Sequence, residues 1–283
     1  MKTFSRAPRP DDTFHQVPCG LCGSRDFRFL YALPGAVYHR CRSCGLVMQN
    51  PQPLAAQVAA RYDQEYFRYE RENEESFCRL ARLGLGDLDF SSWEGEARSL
   101  GPFLDVGCAT GLLLHTLKQT GWAVEGVEIC KPSAEFASRR GGFRVHTRPL
   151  EELELPAASF GVIHLSHVIE HLNDPARFCR EVFRLLAPGG SLVMTTPNIR
   201  GFQSRLLGAR WRSAIPDHLF LFDPRTLTAL AEKAGFVRTG WKSWGGLAQG
   251  LGPAPVKRFL DRAVKPLGWG DVMILRFVKP RSV

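Results

Sequence analysis

The chain has 283 residues, enough for one large domain or one domain with a small appendage, and its 44% apolar content supplies a real core. No run of about 18 apolar residues occurs, which argues against a membrane-spanning helix, and the N-terminus lacks the apolar stretch of a secretory signal, so a cytoplasmic location is expected. A net charge of +9 admits phosphate-bearing partners, but the basic residues are scattered without a Lys/Arg block, so nucleic acid is admitted and not favoured.

Residues 1–16 are polar and Pro-containing and read as a loose tail. Of the eight cysteines, Cys19, Cys22, Cys41 and Cys44 form C-x2-C-x18-C-x2-C, the spacing of a zinc ribbon over residues 17–50. Each pair is followed by a turn glycine, Gly23 or Gly45, in a knuckle that aims backbone N–H groups at thiolate sulfurs. A disulfide framework needs an oxidising compartment, and a redox dithiol needs only one pair. Four thiolates leave no open position on zinc, so its role is structural; in so small a module its binding supplies on the order of 10 kcal/mol of folding free energy. Cys78, Cys108, Cys130 and Cys179 are isolated and read as reduced, partly buried thiols.

Asn50-Pro-Gln-Pro53 breaks the chain, and helical spacing follows from Leu54 to about Leu83, with Tyr62, Tyr66, Phe67 and Tyr69 among charges. Residues 84–99 read as a connector, so 51–99 is a helical cap with its linker. From residue 100 onward strand and helix alternate, the signature of a doubly wound sheet. Strands are predicted at 102–106, 123–128, 143–146, 160–166, 191–196, 237–242 and 272–278. Helices are predicted at 111–120, 132–140, 174–187 and 224–235. The third is well marked: Asp174 caps it, Pro175 suits its first turn, and Phe178, Val182, Leu185 and Leu186 share one face.

Phe103-Leu-Asp105-Val-Gly107-Cys-Ala-Thr-Gly111 reads as a buried strand, a glycine loop and a helix N-terminus, which together cradle a ligand on the backbone. Val124-Glu-Gly-Val-Glu128 is a second short strand ending in an acid placed to accept the two hydroxyls of a ribose. The pair indicates a nucleoside-containing cofactor. The loop is G-x-x-x-G, not the dinucleotide G-x-G-x-x-G, and no Lys-Ser/Thr follows, which excludes a P-loop. Asp105 would repel a pyrophosphate but suits a ligand carrying an ammonium and a sulfonium, so electrostatics favours S-adenosylmethionine (SAM) over NAD.

At this point the sequence resembles the class I SAM-dependent methyltransferases. Leu104-Asp-Val-Gly-Cys-Ala-Thr-Gly111 is similar to their first motif, with Ala109 in place of a frequent glycine. Phe160-Gly-Val-Ile-His-Leu-Ser-His-Val-Ile-Glu-His-Leu-Asn-Asp-Pro175 is similar to their fourth-strand motif, with Gly161 where Asp is usual, and Leu186-Ala-Pro-Gly-Gly-Ser-Leu192 to the turn before strand five. Upstream, Cys-x2-Cys-Gly, Tyr38-x2-Cys41-x2-Cys44-Gly, Asn50-Pro-x-Pro and Tyr62-x3-Tyr66-Phe67 resemble members with an N-terminal zinc ribbon, among them sugar C-methyltransferases and enzymes of surface polysaccharides. The resemblance implies an α/β, Rossmann-like, seven-stranded and mostly parallel sheet with residues 100–283 as the SAM-binding domain, preceded by the ribbon. It places Gly107, Cys108 and Gly111 along the methionine part of SAM, Glu128 at the ribose, Leu150 and Glu151 at the adenine, and Ser166 and His167 below the sulfonium, with Asp105, Ala109 and Ile129 in the same cofactor-binding set. Tyr62 and Tyr66 become a lid, with plain packing as the alternative.

Methyl transfer is an in-line displacement on an activated carbon, so the protein must place the acceptor at about 3–3.5 Å and remove a proton from an alcohol or carbon acid. His167, Glu170, His171 and His218 are the ionisable candidates: three just past the fourth strand, the last in Ile215-Pro-Asp217-His218 before a helix. His218, His171 and Glu170 are taken as catalytic, with a scaffold role for Glu170-His171 as the alternative. His167-x-x-Glu170-His171…His218 also resembles the divalent-ion set of small-RNA 2′-O-methyltransferases, and three imidazoles with a carboxylate suit zinc, iron or manganese better than magnesium. The function expected is methyl transfer from SAM to an O or C atom of a sugar-bearing or small metabolic acceptor. RNA modification through the ribbon and basic surface, or a non-catalytic SAM-fold interaction protein, are the alternatives. Residues 200–222 and 243–270, with Trp211, Trp244 and Trp269, and also Trp241, are expected to shape the acceptor pocket.

Overall fold

The computed structural model describes residues 12–246, 265 and 267–281. Strands β1 (Phe14–His15), β2 (Phe27–Leu33), β3 (Ala36–Cys41), β4 (Val47–Gln49) and β5 (Gln52–Pro53) come first, then helices α1 (Ala55–Ala59), α2 (Gln64–Asp87) and α3 (Phe90–Leu100). The alternating part runs β6 (Phe103–Val106), α4 (Leu112–Gln119), β7 (Val124–Val127), α5 (Lys131–Gly141), β8 (Arg144–His146), β9 (Phe160–Ser166), α6 (Pro175–Leu185) and β10 (Leu186–Pro197). It closes with α7 (Phe202–Leu207), β11 (Phe220–Leu221), α8 (Pro224–Lys233), β12 (Val237–Trp244) and β13 (Val272–Val278).

The main sheet has the expected seven strands, in the order β12-β13-β10-β9-β6-β7-β8. It is parallel except for β13, which runs antiparallel to both its neighbours. Each strand sorts its side chains by the two-residue period of the pleat. Leu104, Ile163, Met194 and Leu275 join the core under α6 and α8, while Phe103, Val162, Val193 and Ile274 join the core under α2, α3 and α4. Chain order reverses between β6 and β9, so the loops leaving their carboxyl ends diverge and open a crevice there.

A second sheet, β2-β3-β4-β11, carries the cysteine knuckles. The ribbon expected as residues 17–50 is therefore not self-contained, because its edge strand Phe220–Leu221 comes from the far end of the chain and pairs with Met48 and Val47. Cys19, Leu21, Cys41, Leu46 and Met48 pack in one continuous core with Leu104 and Phe178.

Three expectations are corrected. Residues 84–99 are helical and not a connector: α2 runs through Gly84 and Gly86 to Asp87, and α3 follows after Asp89. Gly84 is tolerated there because the helix lies directly on β13, where a Cβ would come 2.9 Å from Ile274 Cδ1. In the tail, Phe14 and His15 form a strand by pairing with Pro53 and Gln52; residues 1–11 lie outside the described residues. The helix predicted to Ala187 ends at Leu185, where the chain turns straight into β10 with a bulge across Pro188-Gly-Gly190. Of the predicted acceptor loop 243–270, residues 247–264 and 266 also lie outside the described residues. Gly161, the departure from the fourth-strand motif, has a packing cause: α3 ends against it, and a Cβ would sit 2.0 Å from the Ala97 carbonyl oxygen.

Candidate active site

A cavity of about 410 Å³ opens at the carboxyl ends of β6 and β9, a volume in the range of small-molecule sites. Asp105, Gly107, Cys108, Ala109, Ser166, His167, His171 and His218 all line it, so the structure brings together residues from three separate segments. Gly111, Glu128, Ile129, Leu150, Glu151 and Glu170 are not part of that lining.

The glycine loop is shaped by left-handed backbone at Gly107 (φ 73°), Ala109 (φ 50°) and Gly111 (φ 72°). A side chain on Gly107 would come 2.6 Å from Val168 Cγ2, and one on Gly111 2.8 Å from the Ala137 Cβ. Ala109 tolerates its conformation because its N–H donates to Glu128 Oε2 at 2.9 Å, and the other oxygen of that carboxylate accepts from Cys130 N–H at 2.8 Å. Glu128 thus stands behind the loop as its anchor. Burial raises its pKa to about 7 against those two N–H groups, with the Asp105 charge adding to the rise.

Asp105 meets a residue that the sequence reading passed over. His164 is its register partner on β9, and His164 Nδ1 lies 2.7 Å from Asp105 Oδ1. Burial raises the Asp105 pKa, opposed by the imidazole. The sequence signal was available, since the two strands are neighbours and the residues share a face.

The wall opposite the loop is α2, capped by the Asp63 carboxylate, which accepts from Glu65 and Tyr66 N–H. Tyr66, Tyr69, Glu70 and Glu74 face the cavity. Glu70 accepts a hydrogen bond from Ser133, and Glu74 is held by a bidentate Arg140 pair at 2.8 and 3.0 Å. Burial drives the Glu70 pKa well up, and the nearby Glu128 charge adds to it. Tyr62, expected beside Tyr66 in a lid, stacks edge-on against it at 4.9 Å and packs on the core.

At the other end, Glu170, His171 and His218 converge, their ligand atoms all within 4.8 Å of one another. His171 Nδ1 is 2.8 Å from the Asp217 carbonyl and His218 Nδ1 is 2.8 Å from the Ser213 carbonyl. A carbonyl only accepts, so each Nδ1 carries a proton, and any lone pair the ring offers is on Nε2. Burial lowers the His218 pKa to about 4, helped by His171, which leaves it neutral and able to accept a proton. Glu170 is fully buried; Oε1 accepts from His167 Nδ1 at 3.0 Å, and Oε2 has no partner among the described residues. Against the cost of burial, that bond and the three imidazoles lower its pKa to about 2.

The loop bearing His218 is fastened from the ribbon. Tyr38, on β3, is fully buried and its hydroxyl donates to the carbonyls of Ile215 (2.7 Å) and His218 (2.6 Å). Leu219 N–H donates to the Glu170 carbonyl at 2.8 Å, which ties the loop to the β9 turn. Of the tryptophans, Trp244 lines the cavity, Trp211 is buried with its Nε1 donating to Asp271, and Trp241 and Trp269 lie elsewhere.

Cys19, Cys22, Cys41 and Cys44 bring their sulfurs within 4.8 Å of one another, with Sγ–Sγ distances of 3.5 Å for Cys19–Cys44 and Cys22–Cys41. None of the four is in a disulfide. A tetrahedron of sulfurs about 2.3 Å from a zinc ion has edges near this length, so the donor set fits that cation. Against burial, backbone N–H groups of Cys44 and Ser43 and the Cys22 thiol hold Cys41 down to about 7.

Comparison with known proteins agrees with this geometry. Ubiquinone biosynthesis O-methyltransferase, mitochondrial, of Arabidopsis thaliana is 29% identical over 157 residues, 48% of this chain and 49% of that protein. Ubiquinone biosynthesis O-methyltransferase of Caulobacter vibrioides is 33% identical over 132 residues, 43% of this chain and 52% of that protein. The chain spans about half the length of the curated relatives it matches. A SAM dependent methyltransferase from Archaeoglobus fulgidus shares the fold, with a TM-score of 0.54 at 19% identity over 76% of this chain and 99% of that one. Residues 71–239, more than half of the chain, match the family described as methyltransferase domain, and the chain belongs to that family.

Proposed function

We propose that the protein transfers a methyl group from SAM to an oxygen of a small metabolic or sugar-bearing acceptor. The observation that carries this reading is the pairing, in one cavity, of the glycine loop with two imidazoles whose lone pairs are free to take a proton. Gly107, Cys108 and Ala109 would hold SAM, which would supply an activated methyl group to an acceptor at the His171 and His218 end of the same cavity. His218, kept neutral by burial, accepts the acceptor's proton as the new bond forms, and His171 orients the acceptor oxygen. Oxygen is favoured over carbon because the named relatives are O-methyltransferases. The four cysteines hold a structural zinc ion that fixes the ribbon and, through Tyr38, the His218 loop.

Calorimetry with SAM, followed by transfer of labelled methyl groups into a cell extract, tests the reading. Binding with a labelled small molecule supports it; absence of SAM binding by the folded protein removes it. A second reading has its own observation: among the described residues Glu170 Oε2 is buried without a partner, beside two imidazoles fixed by backbone carbonyls. In it, Glu170, His171 and His218 hold a divalent cation that lowers the pKa of the acceptor hydroxyl. Loss of turnover on dialysis against chelator, restored by Mn²⁺ with the ribbon zinc retained, selects this version over direct proton transfer.

A further inference from the structure

A second groove, of about 510 Å³, shares no lining residue with the cavity above. Four arginines face it: Arg200 after β10, Arg205 on α7, Arg225 on α8 and Arg238 on β12. Glu232 is the one carboxylate among the described lining residues. Elsewhere the protein pairs its arginines with acids, as in Arg61–Asp217, Arg140–Glu74, Arg184–Glu181 and Arg212–Asp271. Here, none of the four meets a carboxylate among the described residues. Arg225 donates to the Cys44 carbonyl at 3.2 Å and Arg238 to Thr228 Oγ1 at 3.0 Å, which positions two of the guanidinium groups without neutralising them.

The groove also has flat walls. Trp241 and Trp269 both line it, Trp269 is 42% exposed, and the Arg205 guanidinium lies 5.7 Å from the Trp269 ring centre. Cations beside open aromatic faces suit a ligand that is anionic at one end and flat at the other.

We propose that this groove is a second ligand site, separate from the transfer cavity, for a phosphate-bearing molecule with a flat ring, of which a nucleoside diphosphate is the simplest form. Its size favours a small ligand over a nucleic acid. A volume of about 510 Å³ is that of a small-molecule pocket, and the arginines surround one groove where a single strand needs a track for its backbone.

The test titrates the full chain with inorganic pyrophosphate, UDP and a short single-stranded RNA, with S-adenosylhomocysteine present to fill the transfer cavity. Failure of S-adenosylhomocysteine to bind counts against the cofactor reading and leaves the groove titration readable. Pyrophosphate and UDP are expected to bind, UDP more tightly and with a change in tryptophan fluorescence. The double variant Arg200→Gln/Arg238→Gln is expected to lose affinity for both by about a hundredfold, about tenfold per charged contact. Trp269→Ala is expected to weaken UDP and leave pyrophosphate unchanged. The arginines are exposed, so the thermal melt is a control that should not move. The proposal is overturned if neither phosphate ligand binds, if the arginine variant binds them like the parent, or if RNA alone binds with an affinity that falls steeply with salt.

Discussion

The Cys19–Cys22–Cys41–Cys44 cluster and the Glu170–His171–His218 cluster are both sets of donor atoms gathered within 4.8 Å, yet they are built for opposite ends. The thiols face one another and contribute nothing to the cavity lining, whereas two of the three histidine-cluster side chains open onto it. The imidazoles have each spent Nδ1 on a backbone carbonyl and kept Nε2, and the glutamate has spent one oxygen and kept the other. A closed donor set fixes a fold; a set with unused lone pairs facing a cavity can do chemistry. The two clusters are nonetheless coupled, because β3 carries both Cys41 and the Tyr38 hydroxyl that fastens the His218 loop.

That coupling is open to attack. Cys41→Ser should cause the largest change: with a ligand of the proposed zinc ion removed, stability should fall by several kcal/mol, since metal binding in such a module is worth on the order of 10 kcal/mol. Because β11 and Tyr38 join the ribbon to the site, methyl transfer should be lost together with the melt; SAM turnover that survives a melted ribbon would separate the two regions. Asp105→Ala and Glu128→Ala should each abolish SAM binding in calorimetry, the second by releasing the Ala109 and Cys130 N–H groups that set the loop.

His218→Gln should leave SAM affinity intact and cut turnover by about 10²-fold or more, the range of a general base. Unchanged turnover would move the proton to His171 or to a metal. The same residue sets a pH dependence. Its pKa is about 4 in the folded chain against an ordinary 6.5, so the unfolded chain takes up the proton first. Its contribution to stability is therefore present in full above about 6.5 and lost as the pH falls toward 4, and His218→Gln should flatten thermal melts across that window. The smallest effect is expected from Tyr38→Phe, which strips one donor from two buried carbonyls at a cost of about 1–3 kcal/mol. Turnover should fall with it while SAM affinity holds.

Much of this was legible in the sequence, for physical reasons that differ by region. The inner strands β6, β9, β10 and β13 announce themselves because most of their residues are buried on both faces, and Asp174 and Asp223 cap α6 and α8 with the N–H bonds their spacing implies. Local chemistry reads well. What stayed hidden depends on contacts far apart in the chain. Phe220–Leu221 becomes a strand only because β4 offers it an edge, and His164 matters only because register sets it against Asp105. Gly84 and Gly86 suggest a linker, yet the helix continues because Gly84 lets it rest on β13. The acids of α2 look like a solvated face, and Glu70 is instead buried over the cavity. Glu128 also has a task the sequence does not announce, because its carboxylate accepts from the Ala109 and Cys130 N–H groups and anchors the loop.

The helix α2 is stitched to α5 at two successive turns, by Ser133 on Glu70 and by Arg140 on Glu74, and its far end lies against β13. A roof fixed at three points along its length is a beam and not a flap. Passage into and out of the cavity therefore does not depend on this helix swinging away, and whatever enters meets a wall of fixed shape on the α2 side.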